Sequence, residues 1–260
     1  SGAATAIREG LNNQFGSNAG MLIVDGGDQF QGTLLSNFNE GQLVFSAMNA
    51  IGYDAAVHGN HDYDFGPKGW LEDQVTETST DRDPRGALKR LVSSAKFPLV
   101  SANTFLKASL VDARGNAVEV SDIGCRAKGS ASAPIDWTRA RHPEFLKPYI
   151  IKETAGVRVA LIGLDNPGTP SSTTAANVSD LCFEDILSSY VRLRTELEGK
   201  ADVFVVVMHE GNHKVSTGAS DFIEQLPRAG LVDSVVSGHT HYVTAMKVKG
   251  VPLIQSGSGG

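Results

Sequence analysis

Cysteine is nearly missing from this 260-residue chain: there are two, Cys125 and Cys182, and no CxxC pair. That excludes a thiolate zinc knuckle and a dithiol redox motif, leaving two buried thiols or one long-range disulfide. An excess of positive charge is also missing. With 23 Lys and Arg against 29 Asp and Glu, the net charge of −6 supplies no general basic field, so nucleic acid is not an implied partner. Long apolar runs are absent, and nothing approaches the ~20 residues of a membrane-spanning helix. No secretory leader is visible, and the opening Ser1-Gly2-Ala3 fits a processed or engineered start as well as a native one. Internal repeats, low-complexity tracts and a clear linker are lacking too. What is present is 41% hydrophobic content, enough for a substantial core, and the reading is one domain over residues 1–260.

The chain is organised around Met21 to Thr33, MLIVDGGDQFQGT. An apolar run of strand length, Met21 to Val24, delivers Asp25 and Asp28 onto a glycine-rich loop, the edge at which open α/β sheets usually carry their sites. The pattern recurs. Ala55 to Val57 runs into His58-Gly59-Asn60-His61-Asp62, Val203 to Met208 into His209-Glu210-Gly211-Asn212-His213, and Leu231 to Val236 into Ser237-Gly238-His239-Thr240-His241. Taken singly, each ending is most often just a polar turn. Repeated after successive strands, they point to one shared metal centre.

Periodicity predicts helices over Ala3 to Phe15, Asn39 to Ile51, Gly86 to Ala95 and Phe183 to Leu197. Strands are predicted over Asp54 to Val57, Phe97 to Ser101, Val157 to Leu164 and Asp202 to Met208, with a final hairpin, Val243 to Ser256, turning at Lys249-Gly250. Glu72 to Arg85 reads as a solvated charged excursion, Asp112 to Ala133 as an irregular surface region with a short strand at Ala117 to Val120, and Asn166 to Thr174 as a loop. Strands alternating with helices argue for α/β, and the closing hairpin for mixed sheets.

Two divalent cations roughly 3.5–4 Å apart need an anion between them, and Asp28 is the candidate. Imidazole together with amide and carboxylate oxygen suits Zn, Mn or Fe, and His209, His239, His241 and Asn60 supply that set. His61 has a separate part: Asp64, three residues on, can accept its second ring proton and hold it as a cation facing a phosphate. His58, His142 and His213 are left as structural, with His213 near enough to His209 in sequence to support it.

Gly27-Asp28, Gly59-Asn60-His61-Asp62, His209 with Gly211, and Gly238-His239-Thr240-His241 resemble the successive motifs of the calcineurin-like metallophosphoesterases. GGDQFQGT, GNHDYDFG and SANT resemble the 5′-nucleotidase branch in particular, over nearly the whole chain apart from the stretch around Asp112 to Pro148. The resemblance implies a four-layer α/β/β/α sandwich with two mixed sheets. It also implies a binuclear centre of two divalent ions, Zn, Mn or similar: Asp28 bridging, Asn60, His209 and His239 completing one site, and His241 in the other. His61 and Asp64 would form the catalytic dyad that stabilises the phosphoryl oxygens during in-line attack by an activated water.

Two departures qualify that expectation. The family's first strand ends in Asp-x-His, and none lies upstream of Asp28; a C-terminal substrate-binding domain, common in the family, is expected but not included. The chain therefore reads as shortened at both ends, so on its own it should hold at most one metal tightly. The expected protein is a phosphoester hydrolase acting on nucleotides or other small phosphate esters, located in the periplasm or outside the cell, where Cys125 and Cys182 would be joined. Its alternatives are a cyclic-nucleotide phosphodiesterase or nucleotide-sugar pyrophosphatase using the same metals, or a degenerate metal- or ligand-binding module.

Overall fold

In the computed structural model, residues 2–16, 19–67, 83–128, 134–212 and 218–258 are described. The β-branched run Val157–Leu164 forms β6, inside a six-stranded sheet. Both faces of such a strand are covered, which is why its sequence is apolar almost throughout rather than alternating. Across the sheet the order is β10 (Thr244–Val248), β11 (Val251–Gln255), β9 (Ser234–Ser237), β8 (Val203–Met208), β6 and β5 (Tyr149–Thr154). Neighbours from β11 to β6 run parallel, while β5 and β10 are antiparallel edges, so this sheet is mixed. The β10–β11 hairpin turns where predicted, with Lys249 at φ 48° and Gly250 at φ 85°, the left-handed pair that a tight hairpin requires.

The smaller sheet comprises β1 (Val24–Asp25), β2 (Ala55–Val57) and β3 (Leu99–Val100). Its described pairs are both parallel, so only the larger of the two sheets shows the mixed character expected of both. The cause is topological. Between β1 and β2 lie α2 (Leu34–Asn37) and α3 (Gln42–Ile51), and between β2 and β3 lies α4 (Gly86–Ser94), so each strand returns by a helical crossover. A further antiparallel pair joins β4 (Thr104–Leu106) to β7 (Leu181–Phe183). Leu181 to Phe183 thus pairs as a strand, and the helix predicted from Phe183 begins later, as α6 (Ile186–Glu196), capped by the Asp185 carboxylate on the Ser188 amide at 2.9 Å.

Three apolar seams hold the layers. Phe45, Met48 and Leu91 from α3 and α4 pack on Ala56 and Leu99 of the small sheet. Tyr190, Leu193, Phe222 and Ile223, from α6 and α7 (Gly218–Gln225), cover the outer face of the large one. Between the sheets lie Ala55, Val100, Val159 and Leu161. That gives the order helix, sheet, sheet, helix. The sheets meet closely at Gly163, where any Cβ would overlap the Val100 carbonyl.

α1 (Gly2–Phe15) forms as predicted, with Ile7 and Phe15 exposed, while Asn166 to Thr174 contains a short helix, α5 (Thr169–Ser172). Ala117 and Val120 make isolated bridges rather than a strand. Cys125 and Cys182 are joined by a disulfide with Cα atoms 5.3 Å apart, tying the irregular region to β7. Of the charged excursion predicted over Glu72 to Arg85, residues 72–82 fall outside the described residues, as does His213, while Arg85 is not solvated but buried and paired with Asp180.

Candidate metal centre

Each candidate ligand leaves the end of a strand. Asp28 follows β1, Asn60 follows β2, His209 follows β8 and His239 follows β9, so parallel strands aim their C-terminal ends at one place. The loops reach each other through glycine. Gly27 has φ 93°, and a Cβ there would lie 2.5 Å from His209 Nδ1; a Cβ on Gly59 would collide with Asp28. Asp28 (φ 58°) and His239 (φ 72°) hold left-handed backbone without being glycine, the strained conformation that clusters at functional sites.

The donor atoms converge. One ligand atom from each of Asp28, His209 and His239 lies within 4.8 Å of the others. His209 Nε2 stands 3.2 Å from Asp28 Oδ2, 3.1 Å from Asn60 Oδ1 and 3.2 Å from His239 Nδ1. The outer contacts fix which atoms face inward. His209 Nδ1 is 2.7 Å from the Gly26 carbonyl and must donate to it, leaving Nε2 as the lone pair in the neutral ring. Asn60 Nδ2 donates to the Ser172 carbonyl at 2.8 Å, turning Oδ1 inward. Two carbonyl-type oxygens and an imidazole lone pair, with a second imidazole beside them, therefore face one another with too few protons among them. A divalent cation satisfies that set, and its mixed nitrogen and oxygen donors suit Zn, Mn or Fe.

The same crowding appears in the proton affinities. Burial works against a charge on His209, but the Asp28 carboxylate and Gly26 carbonyl outweigh it and raise the ring above its ordinary value. Burial pushes Asp28 up, yet His209 and the His61 amide hold it below the usual carboxylate range. His239 is lowered to about 4, first by burial and then by the His209 charge.

His61 and Asp64 form a pair at 2.7 Å, Nδ1 to Oδ2, beside this cluster, and the His61 backbone amide donates to Asp28 Oδ1 at 2.9 Å. His61 and Asp64 lie at the two ends of a single turn of 3-10 helix that starts from Asn60. His241 stands apart from the four converging residues. It is exposed.

Asp62 closes the Gly59-Asn60-His61-Asp62 motif, which by itself assigns it no role. Its carboxylate is 1% exposed and accepts from the Gly59 amide at 2.7 Å, the Gln29 amide at 3.1 Å and the Asp28 amide at 3.2 Å. One side chain thus latches the β1 loop to the β2 loop. Gln29 adds a second tie, its Nε2 donating to Asp25 Oδ1 at 2.7 Å and the Val57 carbonyl at 3.0 Å. His142 is structural, as expected: it is stacked on Phe105 and its Nδ1 lies 2.8 Å from the Thr104 carbonyl. His58 is buried with neither ring nitrogen hydrogen-bonded, and burial lowers it to about 3, so it is neutral.

The family model of the calcineurin-like phosphoesterases matches residues 3–243. The trifunctional nucleotide phosphoesterase YfkN of Bacillus subtilis is 27% identical over 223 residues, covering 85% of this chain and 13% of that protein. The venom 5′-nucleotidase of the snake Gloydius brevicauda is 29% identical over 245 residues, covering 92% of this chain and 31% of that protein. The chain thus spans about a third or less of these relatives. Among solved structures, the calcineurin-like phosphoesterase YfkN from B. subtilis superposes with a TM-score of 0.63 at 20% identity, over 98% of this chain and 72% of that one. A 5′-nucleotidase precursor from Thermus thermophilus gives 0.59 at 23% identity, over 95% and 42%. At such identities the structures speak for the fold, whereas the family model, covering nearly every residue, speaks for descent. The chain belongs to the calcineurin-like phosphoesterase family.

Proposed function

We propose that residues 1–260 form one catalytic domain of a metal-dependent phosphoester hydrolase that releases phosphate from nucleotides. The observation that carries this is the convergence of proton-poor donors from Asp28, Asn60, His209 and His239, with the His61–Asp64 pair beside them. Two divalent ions of the Zn or Mn type would complete the reading: Asp28, Asn60, His209 and His239 would hold one, and Asp28 and His241 would contribute to the other. When bound, such ions polarise phosphoryl oxygens and make water a better nucleophile. The chain's own residues do the rest. Asp28, lying between His209 Nε2 and the His61 amide, gathers the loops of both sheets. With Nδ1 donating to Asp64, His61 has Nε2 left for substrate, which suits it to stabilise charge on the phosphoryl group or to protonate the leaving oxygen.

Nucleotides are favoured as substrates by the relatives, whose names describe nucleotide phosphoesterase and 5′-nucleotidase activity. A place in the periplasm or outside the cell is supported by the disulfide and by a venom protein among the relatives. No helix among the described residues is long and apolar enough to cross a membrane.

The test is a panel of nucleoside monophosphates, cyclic nucleotides and nucleotide sugars, offered to the full-length protein with metal analysis alongside. Phosphate release from nucleoside 5′-monophosphates that stops with a chelator and returns with Zn or Mn is expected. Preference for cyclic nucleotides or nucleotide sugars would move the assignment within the family's chemistry. Bound metal without hydrolysis of any member would overturn it in favour of a binding module.

A further inference from the structure

Asp64 is held from two sides. Its Oδ2 accepts a hydrogen bond from His61 Nδ1 at 2.7 Å, and its Oδ1 lies 2.7 Å from the hydroxyl of Thr173, 109 residues away. A carboxylate only accepts, so the Thr173 hydroxyl is the donor. We propose that Thr173 is a positioning residue for the His61–Asp64 pair, acting through Asp64; this rests on the hydrolase reading above.

The geometry favours a directing role over simple loop anchoring. The His61 side chain is 43% exposed, and among the described residues Asp64 is the hydrogen-bond partner of its ring. Among the described residues no other hydrogen bond holds the ring plane. With both oxygens engaged, rotation of the Asp64 carboxylate breaks two hydrogen bonds; with Thr173 removed, it breaks one. Thr173 suits the task because its β-branched side chain is stiff at χ1, and it sits in extended backbone just past α5.

The neighbouring residue makes the placement specific. Ser172 accepts from Asn60 Nδ2 through its carbonyl at 2.8 Å, so adjacent residues of one connection hold a metal-ligand candidate and the dyad. Four residues further on, Asn177 Nδ2 donates to the Tyr63 carbonyl at 2.8 Å, gripping the same turn. That turn is consequently supported even when the Thr173 hydroxyl is lost, and a hydroxyl deletion should disturb the dyad more than the fold.

The experiment compares T173V, which keeps shape and loses the donor, with T173S, which keeps the donor, in the full chain loaded with Zn or Mn. T173V should lower kcat about 10-fold, with KM and metal content within about twofold of wild type. T173S should recover most of the rate. In an H61A background, T173V should have no further effect, because its influence passes through the imidazole. A second readout needs neither metal nor turnover: the ¹⁵N-edited imidazole spectrum should show a protected Nδ1 proton on His61 in wild type and T173S, and lose it in T173V. An unchanged His61 signal in T173V, or a T173V rate loss that persists in full without His61, would overturn the proposal. If wild type hydrolyses no phosphoester while the His61 signal still depends on the Thr173 hydroxyl, the hydrolase reading fails and the positioning role stands.

Discussion

The two sheets hold their shares of the metal centre in different ways. In the small sheet β1 and β3 are two residues long and β2 three, so few ladder hydrogen bonds define where the following loops go. Those loops carry the oxygen donors, Asp28 and Asn60, and their accuracy comes from buried side chains bonding to backbone: Asp62 on three amides, Gln29 across to Val57. In the large sheet, β8 pairs along its whole length with β6, and the His209 amide extends that ladder by donating to the Leu164 carbonyl at 2.9 Å. Its loops carry the nitrogen donors. One half of the centre thus depends on a few polar atoms, the other on distributed pairing and packing. Damage to a single polar atom should fall mainly on the first half.

The largest effect is expected at Asp62. D62A leaves three amides without their acceptor and frees the β1 loop from the β2 loop, so metal affinity should fall roughly 10- to 100-fold, the range seen when supporting groups behind metal ligands are removed. D62N, which keeps one acceptor oxygen, should lose less. Competition against a chelator of known affinity reads the change, with circular dichroism to confirm that the variants fold. Wild-type affinity in D62A would break the distinction between the sheets.

Thr240 is the matching probe on the other side. Lying between His239 and His241, its hydroxyl donates to the Asn212 carbonyl at 2.6 Å and meets Gln255. T240V removes this bond and the one the hydroxyl accepts from Gln255 Nε2 at 2.9 Å, about 1 kcal/mol each, from a loop whose strands remain paired. Metal affinity should fall only a few-fold in the same chelator assay. A loss as large as that in D62A would mean that the large sheet relies on its polar atoms just as heavily.

Sequence pattern reaches some of these features and not others, for a physical reason. Runs such as Val157 to Leu164 announce themselves because burial on both faces demands apolar residues at every position, and the Lys249-Gly250 turn because few residues tolerate positive φ. Asp28, Asn60, His209 and His239 are legible because each sits beside glycine just past an apolar run. Asp62 is not, since its role is defined by amides 33 and 34 residues away as much as by Gly59. Thr173 is hidden in the same way. The strand at Leu181 to Phe183 exists only through its pairing with β4, and two or three residues show no period to read. The disulfide, open in sequence, is decided by the fold that brings Cys125 beside the buried Cys182.

The smallest effect on metal binding is expected at Asp165, which follows β6 and bonds to Thr104 of β4 rather than to the converging residues. Its Oδ2 accepts from Thr104 at 2.5 Å, while Oδ1 is buried without a partner. Burial raises the carboxyl from 3.8 to about 7, against the pull of Thr104 and Ser101. Of its titratable neighbours, His58 is lowered to about 3 by burial and burial lifts Tyr63 well above its ordinary range, so both stay neutral from pH 4 to 8, while the His209 charge pulls the Asp165 carboxyl down. Between pH 4 and 7 the folded chain keeps this proton and the unfolded chain has lost it, so stability falls as pH rises, by up to about 1.4 kcal/mol per pH unit. Above pH 7 both states are ionised and the decline stops. D165N carries no proton to lose, so its melting temperature should match wild type near pH 4, pull ahead through pH 7 and keep a constant lead beyond. Melting curves of both proteins with a chelator present isolate the difference, because His209 and the other titrating groups are common to the two. A gap independent of pH would show that Asp165 is already ionised in the fold, balanced by partners beyond Thr104 and Ser101.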